Sequence, residues 1–138
     1  MRDNGLSLIL SEDTFAVCRL DAHHPIPDWV WSGAFSSVTR TEAELSVVCA
    51  QVNIPSGIQA EYGWRCLRVA GTLDFTLVGI LASLVEPLAI AAVSVFALST
   101  YDTDYLFVKE TDLKKAIAVL KTAGHRIELS ANADGTSS

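Results

Sequence analysis

Phe75–Leu98 reads FTLVGILASLVEPLAIAAVSVFAL, a run whose only charge is Glu86. Its length suits a transmembrane helix, and the chain's mean hydropathy of +0.33 points the same way. Three features argue otherwise. Glu86-Pro87 sits at the centre of the run, where a carboxylate costs roughly 3 kcal/mol in a bilayer and proline removes a helix hydrogen bond. No Lys/Arg cluster flanks either end to set an orientation. The composition also changes along the run, from small residues and Leu to the strand-like Val93-Ser94-Val95-Phe96-Ala97-Leu98. A buried helix over Leu77–Ala92 followed by a buried strand over Ser94–Ser99 is therefore expected, with no membrane span.

Working outward, Gly71–Thr76 reads as a loop in which Asp74 or Thr76 offers a capping oxygen to the helix. Gly71 and Gly79 are expected to allow tight turning and close helix–sheet packing. Before the loop, Trp64–Ala70 reads as a strand with one wetter face. After the central strand, Thr100–Asp104 makes a turn into a strand at Tyr105–Lys109. Thr111–Ala123 is amphipathic, with Leu113, Ile117 and Leu120 on one face, and Gly124 ends it. His125–Leu129 is a last strand and Ser130–Ser138 a polar tail. The order is β-α-β-β-α-β, the ferredoxin-like split unit, an α+β fold with both helices on one face of a four-stranded antiparallel sheet.

The first half reads as a degraded copy. Leu6–Leu10 and Thr14–Leu20 are β-type runs around Ser11-Glu12-Asp13, expected as a hairpin. Pro27–Trp31 suits a short helix, Ser36–Arg40 and Glu44–Cys49 a second strand pair, and Gln51–Gly63 a linker. The expected organisation is a shortened, divergent first module at 1–60, a regular module at 61–129 and a disordered tail at 130–138.

Composition narrows the function. With 138 residues, 50% apolar and 19% charged, the chain is too apolar for disorder. A net charge of −6 argues against nucleic acid or an anionic membrane as partner. Three basic and eight acidic residues fall in 1–63, against seven and eight in 64–138, so the acidity belongs mainly to the first half. Cys18, Cys49 and Cys66 form no CxxC pair and are expected as buried free thiols in a reducing cytoplasm. The opening MRDNGLSLIL has no long apolar core, so no signal peptide is expected. His23-His24 with Asp21 and Asp28 lacks metal-ligand spacing. No GxSxG elbow or Cys-His constellation occurs, so neither catalysis nor a cofactor is expected.

Gly71-Thr72-Leu73-Asp74-Phe75-Thr76-Leu77-Val78-Gly79-Ile80-Leu81-Ala82, then Pro87-Leu88-Ala89, then Ser94–Val108 (SVFALSTYDTDYLFV) resemble the CASTOR-type ACT domains. These are tandem modules of bacterial proteins and of eukaryotic arginine sensors. The match is strong over 64–127, looser over 6–50, and most specific from Phe96 to Val108. The resemblance implies two ACT (βαββαβ) modules and an amino-acid ligand, held at an interface between paired modules. It places the binding loop at Leu73, Asp74, Phe75 and Thr76, and adds the turn residues Ser99, Thr100, Asp102 and Asp104. It also implies a homodimer. The chemistry agrees: a helix N-terminus suits a carboxylate, and Asp74, Asp102 and Asp104 suit an ammonium or a basic side chain. Each has a competing structural role, Asp74 as a cap and the other two as turn residues. The expectation is a non-catalytic amino-acid sensor, with a ligand-free ACT-like dimer serving as an interaction module as the alternative.

Overall fold

Neither Ser11 nor the Glu12-Asp13 pair turns the chain. In the computed structural model, which describes residues 5–71 and 79–130, Ser7–Leu20 is one continuous strand, β1. A tight hairpin needs left-handed residues such as Asn-Gly, and no residue with positive φ lies in this stretch. The expected hairpin is thus replaced by a single long strand. The other elements are β2 (Ser36–Arg40), β3 (Leu45–Ala50), β4 (Gln59–Val69), α1 (Ile80–Ile90), β5 (Val95–Ser99), β6 (Asp104–Lys109), α2 (Leu113–Thr122) and β7 (Arg126–Leu129). Short 3-10 turns lie at Asp28–Trp31, Gln51–Asn53 and Glu110–Asp112. No helix among the described residues is long and apolar enough to cross a membrane.

The chain divides into two compact units, a larger one of 1–12 with 65–138 and a smaller one of 13–64. The larger unit follows the expected β4-α1-β5-β6-α2-β7 sequence, with one correction. Its strand order is β7-β1-β4-β6-β5, so β1 is interposed and the sheet has five strands where four were expected. The start of β1 runs parallel to β7, with Ser7 opposite Arg126 and Leu10 opposite Leu129. On the other side, the Ala70 N–H donates to the Ser7 carbonyl at 2.8 Å. β5 and β6 are antiparallel, from Val95 opposite Val108 to Ser99 opposite Asp104.

Period-two alternation puts Leu8, Leu10, Leu67, Val69, Leu106 and Val108 on one face of this sheet. There they pack with Leu84 and Leu88 of α1 and with Ala116 and Leu120 of α2. Both helices therefore cover the same face. The expectation of a buried α1 is corrected: Leu84 and Leu88 are fully buried, but Ile90 is 80% exposed. A single helix layer over a sheet buries only one stripe of each helix.

Pro87 lies inside α1 and cannot donate to the carbonyl of Ser83 four residues earlier. That carbonyl is met from outside the helix, 3.0 Å from Nε2 of His125. His125 is itself 6% exposed, and its Nδ1 accepts the Leu6 N–H at 3.1 Å. An N–H needs an unprotonated ring nitrogen, so Nε2 carries the proton and donates to Ser83.

In the smaller unit, β3 pairs antiparallel with β1, from Phe15 opposite Ala50 to Leu20 opposite Leu45, and with β2 on its other side. Cys18, Leu45, Val47 and Cys49 form its core with Val30. Val30 is brought in by the 3-10 turn that follows Pro27, where the short helix was expected. The β2–β3 turn is held by Thr41, whose Oγ1 accepts the N–H groups of Ala43 and Glu44 at 3.1 Å each. The expected linker is shorter than the sequence suggested, because β4 begins at Gln59. The N–H of Gly63 within that strand turns to Gln51 Oε1 at 2.9 Å.

Candidate functional site

Of the eight candidate residues, Leu73, Asp74, Phe75 and Thr76 lie outside the described residues. The flanks of that segment are described. Gly71 and Gly79 both hold φ of +81°, and among the described residues a Cβ built on either meets nothing within 4 Å. Both positions hold the left-handed backbone that glycine adopts without a Cβ penalty, in keeping with the expected tight turning.

Ser99, Thr100, Asp102 and Asp104 are brought together at the β5–β6 turn. Ser99 Oγ donates to Asp104 Oδ1 at 2.6 Å, across the last paired position of the two strands. The Thr100 N–H donates to the Thr103 carbonyl at 2.9 Å. Thr100 Oγ1 accepts the Thr103 N–H at 3.3 Å. Asp102 is exposed at the tip, beside Tyr101, which is 81% exposed.

Sequence reasoning missed Thr103. It is 5% exposed, and its hydroxyl donates to the Val69 carbonyl at 2.8 Å. This bond ties the turn to the end of β4, two residues before Gly71, where the chain leaves toward the other four candidates. Sequence offers no sign of it, because Thr103 is one of several hydroxyl and acid residues in a turn. Chemically the turn presents the Asp102 carboxylate and the remaining oxygen of Asp104 as acceptors for a cation, with one hydroxyl already committed to Asp104.

Three other groups bear on the chemistry. Burial pushes the Cys66 thiol up to about 12. The Cys18 thiol is raised by its hydrogen bond to Cys49, and further by burial. Neither of these two is a thiolate nucleophile near neutral pH. His24 directs Nδ1 at the Pro25 carbonyl, 2.6 Å away. Among the described residues no three His, Cys, Asp or Glu side chains gather as a metal site. In the larger unit, Pro87, Ile90, Ala118, Val119 and Thr122 line an apolar groove of about 400 Å³ between the ends of α1 and α2.

Residues 59–122 match the family model of the ACT domain, and residues 13–57 match a second model that describes an N-terminal domain. A crystal structure of a protein from Agobacterium tumefaciens is 36% identical, covering 91% of this chain and 94% of that one with a TM-score of 0.86. A Vibrio cholerae protein of unknown function, described as a possible transport protein, is 17% identical over 87% of this chain and 91% of its own, with a TM-score of 0.71. The ligand-free regulatory subunit of aspartate kinase from Thermus thermophilus is 8% identical over 80% of this chain and 93% of its own, with a TM-score of 0.56. These last two are likenesses of fold alone. No curated protein matches the chain by sequence.

Proposed function

The chain belongs to the same family as the Agobacterium tumefaciens protein and matches the ACT domain over residues 59–122, and from that premise we propose that it is a non-catalytic regulatory module that binds an amino acid. The ACT match is the observation that carries this reading. The fold shared with the regulatory subunit of aspartate kinase supports it. In the finer form of the proposal, the chain is a CASTOR-type protein with two ferredoxin-like modules, at 1–60 and 61–129, followed by a tail at 130–138.

The ligand sits where modules pair, between the Leu73–Thr76 loop and the turn of Ser99, Thr100, Asp102 and Asp104. Asp102 and Asp104 receive the ammonium, and N–H groups at the start of α1 receive the carboxylate. The protein works without a cofactor or metal, as a homodimer in the cytoplasm, and binds neither nucleic acid nor membrane. The apolar groove between the ends of α1 and α2 supports pairing of copies, since such a surface is commonly covered.

A second reading is favoured by one observation. Ser99 spends its hydroxyl on Asp104, and Thr100 and Thr103 bond each other, so these residues have structural work without a ligand. On that reading the chain is an ACT-like dimer that acts on a partner. A thermal-shift panel of the twenty amino acids separates the two. A ligand at about 100 times its dissociation constant adds about 2.7 kcal/mol and raises the melting temperature. A flat panel at millimolar concentrations would leave the second reading, and a monomer by light scattering would remove the dimer from both.

A further inference from the structure

We propose that His125 is a proton-operated latch that fastens the start of β1 in the larger unit, a pH response that requires no ligand. The argument rests on the partners of the ring. One nitrogen faces a donor, the Leu6 N–H at 3.1 Å, and the other faces an acceptor, the Ser83 carbonyl at 3.0 Å. Only the neutral ring protonated at Nε2 satisfies both. On the acceptor side, Nδ1 is the atom that receives the Leu6 amide at the start of β1. The donor side has its own cause: Pro87 has no N–H to offer the Ser83 carbonyl, so the helix leaves an acceptor open for the ring.

Adding a proton at Nδ1 sets one N–H against another and places a cation at a site only 6% exposed. A buried cation without an anionic partner is costly. The bond to Leu6 is then lost while the bond to Ser83 remains available. The released segment is the start of β1, held also by Arg126, whose N–H donates to the Leu6 carbonyl at 2.8 Å. The guanidinium of Arg126 reaches Ser7 Oγ at 3.1 Å and the Gly5 carbonyl at 3.4 Å.

The charged groups on the surrounding elements are Glu86 on α1, Lys114, Lys115 and Lys121 on α2, and Arg126 and Glu128 on β7. All six are exposed, and Leu6–Ser11 carries none. No carboxylate is recorded in hydrogen-bond contact with the ring among the described residues, so none is in place to stabilise its cation.

The test compares the whole protein with His125→Asn, which keeps an oxygen acceptor for the Leu6 N–H and does not titrate. Urea midpoints are measured between about pH 7.5 and about pH 5.5, either side of the ordinary imidazole value of about 6.5. The wild type is expected to lose midpoint relative to the variant as pH falls across that window. Parallel profiles overturn the proposal. Should the variant fail to fold, the wild type alone decides. Imidazole nitrogen shifts report which nitrogen holds the proton, and hydrogen exchange reports the protection factor of the Leu6 amide. A proton on Nδ1 at neutral pH, or Leu6 protection that survives protonation of the ring, overturns it equally.

Discussion

Ala92 holds φ at +63° immediately after α1, a backbone region in which a Cβ costs about 1–2 kcal/mol. Its surroundings explain why. The Val93 N–H bonds the Leu88 carbonyl at 2.9 Å, and the Ala92 N–H bonds the Ala89 carbonyl at 3.0 Å. These are the two reverse bonds of a Schellman motif. α2 closes the same way, with the His125 N–H on Leu120 and the Gly124 N–H on Lys121, both at 3.0 Å. There the left-handed position is a glycine, at φ +104°. One helix thus uses the residue suited to this cap and the other does not. Replacing Ala92→Gly relieves the strain but adds freedom to the unfolded chain, a cost of about 0.4–1 kcal/mol. A net gain of about 0.5–1 kcal/mol is expected, read as a rise in urea midpoint at unchanged slope. A neutral or destabilising result would show that the Cβ of Ala92 is not strained.

At the scale of elements, the β5–β6 hairpin shows how unequal two neighbouring hydroxyls are. Ser99 is exposed and its bond to Asp104 competes with water, whereas Thr103 is buried against the Val69 carbonyl. Thr103→Val keeps the shape and strands that carbonyl, so a loss of about 1–3 kcal/mol is expected in thermal or urea unfolding. Ser99→Ala is expected to cost only a few tenths of that. The hairpin and α2 were legible from sequence because their signals are local: alternation from Val95 to Lys109, and Leu113, Ile117 and Leu120 at helical spacing before a glycine. β1 was not legible, because Ser11-Glu12-Asp13 has turn-like composition but no residue suited to a tight turn. The partnership of Pro87, Ser83 and His125 was equally hidden. It is a tertiary contact between residues that look like a helix breaker, a surface serine and a strand start. The candidate site was legible as a neighbourhood, at one turn, but the residue that ties this turn to β4 was not.

For the molecule as a whole, Cys66 sets an alkaline limit. In the unfolded chain its thiol ionises near the ordinary value of 9.0, while burial holds the folded thiol protonated to about 12. Between those values the unfolded chain binds fewer protons than the folded one. The contribution is therefore complete below pH 9.0 and is lost as pH rises toward 12. Urea midpoints measured across that window should fall more steeply for the wild type than for Cys66→Ala, whose own cavity lowers the whole curve without tilting it. Curves of equal slope would show that the thiol ionises freely in the folded protein.

The pairing of β1 with β7 also fixes an order of events when the chain is made. Residues 13–64 of the smaller unit are contiguous, so the strands that pair within it are all made in the first half of the chain. Ser7–Leu10, synthesised earlier still, have to wait for Arg126–Leu129, near the far end of the sequence. Until then the apolar edge of Leu8 and Leu10 lacks its β7 neighbour. Contacts this distant in sequence form slowly and leave strand edges open to wrong partners. During synthesis, Ser7–Leu10 thus stays unpaired on the β7 side until Arg126–Leu129 has been made.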